Sequence, residues 1–319
     1  MSQHFLLSAA ARTLSLKDIY RAGEEKAYET FCQIRWPETS GEAICGHCGC
    51  CETYTIKSRR KFECKACGKQ FSVTSGTIFA SRKLDFTDLL AAICILANAA
   101  KGLSSLQLSR DLGVQYKTAF VLAHKIREAL GRETRETKVD GEAEIDGAYF
   151  GGHIRPANLK EDRIDRRLNR FQTGKRRVVI ALRDRDGRTL THVTKAEPAG
   201  VDFAIAHAEE NTVIHADEAY HWDNLEQHFP MKRINHSEAY SIDGACTNQA
   251  ESFFSRLRRM VSGQHHHVSP KYLHQYAAQA AWIEDHRRES NGAIAGRILQ
   301  NALAAPVSRQ WKGYWQRAA

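Results

Sequence analysis

Apolar residues recur at helical spacing over residues 13–36, where Leu14, Leu16, Ile19, Tyr20, Ala27, Tyr28, Phe31 and Ile34 form one stripe. Trp36-Pro37 then ends the helix, because the residue before a proline is pushed out of helical geometry. Over Glu52–Ile56 and Arg60–Glu63 the period shortens to that of strands, and from Leu84 to about Gly131 it is helical again. Within that stretch, Leu103 to Leu108 predicts a short helix and Leu112-Gly113-Val114 a turn. A longer helix then runs from Gln115 to Leu130.

Beyond residue 139 strands and helices alternate. Residues 142–150 read as a strand stopped by Gly151-Gly152. Val178–Leu182 is a buried strand, Asp184 to Gly187 a hairpin turn and Arg188–Val193 the returning strand. A helix is expected over 200–210, a short strand over Thr212–His215 ending at Ala216-Asp217, and a fifth strand at Ile234–His236. A long helix follows from about Asn248, with Phe253, Phe254, Leu257, Met260 and Val261 as its buried stripe. This succession is the order of an RNase H-like α/β fold built on a mixed sheet.

The cysteines add a metal. Cys45-x2-Cys48 and Cys64-x2-Cys67 are two knuckles 15 residues apart, the spacing that closes a tetrahedral zinc site. Gly68 permits the tight knuckle turn, and Phe71 is placed to cover the ion. Cys50 and Cys51 stand beside the first knuckle as alternative ligands, whereas Cys32, Cys94 and Cys246 read as small buried hydrophobes. The expected domains are an N-terminal helical segment (1–41), a zinc ribbon (42–80), a helix-turn-helix region (84–131), an RNase H-like domain (139–290) and a C-terminal tail (291–319).

Charge narrows the class of partner. The 319 residues carry a formal net charge of +9, which favours a polyanion. Between Gly151 and Arg177 nine Lys/Arg, among them Lys175, Arg176 and Arg177, face three acids. Such a run reads either as a solvated loop or as a phosphate-binding surface. Gln115, Tyr116 and Lys117 sit at the N-terminal end of the second helix of the helix-turn-helix, where side chains reach base edges in a major groove; a plain helical hairpin is the alternative. Phe5–Leu7 is too short and lacks the basic residues of a signal peptide, and no apolar run nears the roughly 20 residues of a membrane span. A cytoplasmic protein with reduced cysteines is expected.

Three acids stand at matching places in that fold. Asp146 lies in the first strand, Asp217 ends the fourth, and Glu251 is in the first turn of the long helix. The first and fourth strands are neighbours in such a sheet, so three carboxylates would meet at one edge and hold two Mg²⁺ ions. Each acid also has a plainer use. Asp217 suits a turn cap before Tyr220, Glu251 the third place of a capping box led by Asn248, and Glu142 and Glu144 share the strand face of Asp146. His265–His267 are consecutive, so their imidazoles cannot share one helix face as metal ligands.

The chain resembles DDE transposases of bacterial insertion sequences, of the ISXO-like group that joins a zinc ribbon to an RNase H-like domain. The resemblance rests on Cys64 to Ser72 with Thr74 to Phe79, on Ile145 to Gly152, on Ile234 to Glu238, on Thr247 to Arg259, and on Gly263 to His267 with Tyr272-Leu273. It implies that Asp146, Asp217 and Glu251 are the catalytic carboxylates, using two Mg²⁺ or Mn²⁺ ions, and that one zinc is structural. It further implies cleavage at the element ends and in-line attack of the freed 3′-hydroxyl on target DNA. Lys175, Arg176, Arg177, Arg256, Arg258 and Arg259 would hold phosphates, and a homodimer or larger assembly on DNA, in the nucleoid, would pair the ends. The first knuckle carries Gly46 where the group commonly has proline, and Asn248 stands one turn from Glu251, a position of interest because some relatives use Asn as the third residue. A DNA-binding regulator and a nuclease that cuts without joining are the alternative functions.

Overall fold

The computed structural model describes residues 5–133, 137–151, 157–164, 174–235, 241 and 244–317. It divides into two compact units, Met1–Glu133 with His286–Ala319, and Thr134–Asp285.

In the first unit α1 (Leu16–Arg35) starts at Ser15, whose hydroxyl accepts from Asp18 N, and breaks at Gly23, where φ is 78°. Its buried face packs Phe31 against Phe79 and Phe86, with ring centroids 5.9 and 4.8 Å apart. Next comes a three-stranded antiparallel sheet of β1 (Thr53–Ile56), β2 (Lys61–Cys64) and β3 (Gln70–Phe71). Then follow α2 (Phe86–Asn98), α3 (Ser105–Asp111) and α4 (Tyr116–Glu133), with Gly113 at φ 63° turning the chain between the last two.

Residues from 291 on, expected as a tail, form a helix in the structure. Its apolar positions Ala295, Ile298, Leu299, Ala302 and Leu303 are buried at helical spacing, and the helix (Asn291–Ala304) lies against α1, α2 and α4. Asn291 Oδ1 accepts from Thr13 N at 2.9 Å and Leu14 N at 3.0 Å, tying the two ends of this unit together.

The second unit is a five-stranded mixed sheet. β4 (Glu142–Phe150) pairs antiparallel with β5 (Arg177–Asp184), which pairs antiparallel with β6 (Thr189–Thr194). On its other side β4 runs parallel to β7 (Val213–Asp217), and β7 parallel to β8 (Met231–Ile234). The strand order β6-β5-β4-β7-β8 is the RNase H-like order, with the first and fourth strands of the unit adjacent. The last strand begins at Met231, earlier than expected, and His236 lies outside the described residues.

Both sheet faces are covered. One packs on α5 (Ala199–His207) and a 3-10 helix over Tyr220–Gln227 through Ile145, Ile180, Ile214, Ala204, Trp222 and Leu225. Gly200 lets Trp222 approach closely, since a Cβ there would stand 2.8 Å from the indole ring. The other face packs on α6 (Asn248–Met260) and α7 (Leu273–His286) through Ala148, Val179, Ala181, Phe253, Phe254 and Leu257.

A buried polar cluster joins the β5–β6 hairpin to α7. Arg183 donates to Thr189 Oγ1 at 2.9 Å and meets Glu284, while Asp285 accepts from Thr189 N at 2.9 Å and Oγ1 at 2.7 Å. Burial nevertheless pushes the Asp285 carboxyl up to about 7. A carboxyl raised in the fold contributes stability fully below its unfolded value, and loses it as pH climbs from about 4 to about 7. Asp285→Asn is therefore expected to flatten the pH dependence of the melting temperature between pH 5 and 8 and to raise it at pH 8. The effect is on the order of a few kcal/mol at most; parallel slopes for both proteins would reject it.

Candidate metal centres and nucleic-acid interface

Each zinc knuckle closes on a glycine. Gly49 N donates to Cys45 O and Gly68 N to Cys64 O, both at 2.9 Å, with φ at 74° and 66°. These paired turns aim Cys45, Cys48, Cys64 and Cys67 at one point, their sulfurs all within 4.8 Å of one another. Cys45 and Cys67 are 3.7 Å apart and Cys48 and Cys64 3.5 Å, close to the edge of about 3.8 Å that a zinc–sulfur bond of about 2.3 Å implies for a tetrahedron. Backbone amides draw the Cys64 thiol down to about 6, which suits a thiolate ligand. Cys50 is used elsewhere: its sulfur accepts from Glu52 N at 3.4 Å and faces Glu52 O. Phe71 stacks near Phe62 and Trp36, with centroids 5.7 and 6.4 Å away, in an aromatic cluster that supports the ribbon.

In the second unit strand alternation settles which acids share a face. Ala143, Ile145, Ile214 and Ala216 point to the α5 side, so Asp146 and Asp217 point to the α6 side, where Glu251 stands in the first turn of the helix. Asp146 is half-buried, and its Oδ1 accepts from the adjacent Gly147 N at 2.7 Å. Burial, and then the charges of Asp217, Glu251 and Glu197, push its carboxyl up to about 7. This is an acid that a cation would relieve, and the all-oxygen donor set suits Mg²⁺ or Mn²⁺. The three acids are nevertheless looser than the cysteines, which are the only group of potential ligands within 4.8 Å of one another among the described residues.

The plainer uses of these acids divide clearly. Asp217 Oδ1 does accept from Ala219 N, at 3.2 Å. The N-cap of α6 is Thr247, with no side-chain cap bond, so the Asn248 capping box does not form. Glu142 is taken up by Arg185, Lys232 and His215. Glu144 is fully buried and accepts from Gln249 N at 2.8 Å and Ala250 N at 3.0 Å.

Sequence reading missed Glu197. It lies on the opposite face from Asp146 and reaches across Gly147, where a Cβ would meet its Cγ at 3.0 Å and Oε1 at 3.2 Å. His221 Nε2 stands 3.7 Å from its other oxygen, and burial raises its carboxyl. Its signal was Gly147 itself, because a glycine inside a strand often marks a close approach.

The basic residues fall into free and engaged groups. Lys175 and Arg176 are exposed, and Arg176 covers the Tyr149 ring at 4.2 Å. Arg177 donates to Gly174 O and Arg176 O, both at 2.8 Å. On α6, Arg258 and Arg259 are exposed, Arg259 bonding Ser255 Oγ at 2.9 Å, whereas Arg256 is half-buried and pairs with buried Glu284. Arg155, Arg166, Arg167 and Arg170 lie outside the described residues. In the first unit Gln115, Tyr116 and Lys117 are exposed at the start of α4, with Lys117 Nζ 5.3 Å above the Trp315 ring.

Two family profiles match parts of this chain. A profile described as an ISXO2-like transposase domain matches residues 138–285, and one described as a transposase zinc-ribbon domain matches residues 22–70. No curated protein matches. Among solved structures, the crystal structure of the Mos1 strand transfer complex is 11% identical with a TM-score of 0.20, covering 65% of this chain and 78% of that one.

Proposed function

We propose that this chain, which belongs to the ISXO2-like transposase family, binds the ends of its own insertion sequence, cleaves them and joins the freed 3′-hydroxyls to target DNA. The observation that carries the proposal is geometric: Asp146 and Asp217 lie on the adjacent strands β4 and β7 and point to the face on which Glu251 stands in the first turn of α6. Asp146, Asp217 and Glu251 would hold two Mg²⁺ or Mn²⁺ ions. Magnesium, when bound, supplies the activation of the attacking oxygen and the stabilisation of the leaving one.

The chain's own residues orient the DNA. Lys175 and Arg176 just before β5, with Arg258 and Arg259 on α6, offer exposed cations to phosphates. Arg258 is two helical turns from Glu251 on the same side of α6, so it follows a strand leading away from the acids. Gln115, Tyr116 and Lys117 would read the element ends, and a homodimer or larger assembly would bring two ends together. No helix among the described residues is long and apolar enough to cross a membrane, and the proposed site of action is the cytoplasmic nucleoid.

The test is Mg²⁺-dependent cleavage and joining by the purified protein on DNA carrying the repeats that flank its gene. Joined products support the transposase reading. Cleavage without joining points to a nuclease, and binding without either to a regulator.

A further inference from the structure

We propose that Glu144 is a positioning residue, which docks the first turn of α6 on β4 and so sets where Glu251 stands relative to Asp146. The inference rests on the reading of Asp146, Asp217 and Glu251 as a metal site. Three observations lead to it. Glu144 is fully buried, yet its Oε2 accepts from two successive amides at the N-terminus of α6, Gln249 N at 2.8 Å and Ala250 N at 3.0 Å. These are charge-assisted bonds at the positive end of a helix, where a carboxylate is held most strongly. The helix has no side-chain cap of its own, since Thr247 does not supply one.

The remaining bonds of the same corner make the docking rigid. Glu144 Oε1 faces Cys246 Sγ at 3.5 Å and Arg185 Nε at 3.6 Å, so the second oxygen is occupied as well. Gln249 is held by its side chain too: Oε1 accepts from Arg183 Nε at 3.0 Å and Nε2 donates to Arg185 O at 3.4 Å. The first turn of α6 is thereby tied to β4 and to the end of β5. Asp146 is two residues beyond Glu144 on the same face of β4, and Glu251 is two residues beyond Gln249 on α6. Both acids therefore take their places from one contact, and a shift at Glu144 moves one acid against the other.

The experiment uses the zinc-loaded full chain, without DNA, and reads Mn²⁺ affinity by calorimetry together with amide hydrogen exchange over residues 247–253. Glu144→Ala is expected to weaken Mn²⁺ binding by about tenfold or more, the usual scale for residues that orient ligands, and to speed exchange in the first turn of α6. Glu144→Gln keeps an acceptor oxygen and is expected to retain most of both. Leu225→Ala, a buried change in the core on the opposite face of the sheet, controls for simple loss of stability and is expected to leave Mn²⁺ affinity unchanged while it lowers the melting temperature.

Wild-type affinity and exchange in Glu144→Ala would overturn the proposal, as would an equal loss of Mn²⁺ affinity in Leu225→Ala. Asp146→Asn, measured alongside, separates the two levels. Unchanged Mn²⁺ binding in that variant would overturn the metal-site reading and this inference with it, whereas a loss there with none in Glu144→Ala would overturn positioning alone.

Discussion

Asp146→Asn is expected to reduce Mg²⁺-dependent DNA cleavage and joining by about a thousandfold or more, and at the same time to stabilise the metal-free protein at pH 8. The two effects share one cause. Asp146 is half-buried among Asp217, Glu251 and Glu197, which together with burial push its carboxyl up to about 7. Its folded value exceeds its unfolded one, so the stability it contributes is complete below about 4 and is lost as pH rises to about 7. Asparagine removes that loss but replaces an anionic oxygen by an amide, a poor ligand for a hard cation. A metal that stabilises developing charge by several kcal/mol accounts for three decades of rate at about 1.4 kcal/mol per tenfold. Gel assays of cleaved and joined products, and melting curves at pH 8 with and without Mn²⁺, check both halves. The wild-type melting temperature is expected to rise with Mn²⁺ and that of the variant to stay flat. Activity within tenfold of wild type would sink the assignment.

Cys64→Ser is expected to abolish binding of the structural zinc and unfold the ribbon, whereas Cys50→Ser leaves both intact. The ribbon has three short strands, of four, four and two residues. The aromatic cover of these strands is Phe62, Phe71 and Trp36. A core of that size does not hold a fold, so the metal must, and structural zinc supplies on the order of 10 kcal/mol at neutral pH. The four sulfurs within 4.8 Å of one another exclude Cys50, which bonds within its own turn instead. Zinc content per chain by metal analysis, with protease sensitivity of residues 42–80, separates the variants. Zinc lost in Cys50→Ser and kept in Cys64→Ser would reverse the ligand set.

The cluster of four cysteines, the two helices joined at Gly113, and the strand and helix order of residues 139–260 were all legible in the chain. Each depends on a local rule. Knuckle spacing, the residues that start and stop helices, and the two hydrophobic periods are read within a few residues of one another. The strand order β6-β5-β4-β7-β8 agrees with the succession of elements read from those periods.

Other features arise only when distant segments meet. Residues 291–304 read as a tail because an apolar stripe does not say what it packs on; the helix is explained by α1, α2 and α4, whose residues come some 160 positions and more earlier. Glu142, Glu144 and Asp146 have the same periodicity and the same charge. Their roles separate because Arg185, Lys232 and His215 surround the first and the amides of α6 meet the second. The third is left with other acids for company. Arg256 and Arg258 are likewise equivalent on paper, and the buried carboxylate of Glu284 tells them apart. By itself, then, the sequence determined the elements and their order and singled out four cysteines and three acids as candidates, since these follow from spacing along the chain. Tertiary structure alone decided which charges are satisfied and which remain strained, because solvation and Coulomb energy depend on neighbours in space that no local pattern encodes.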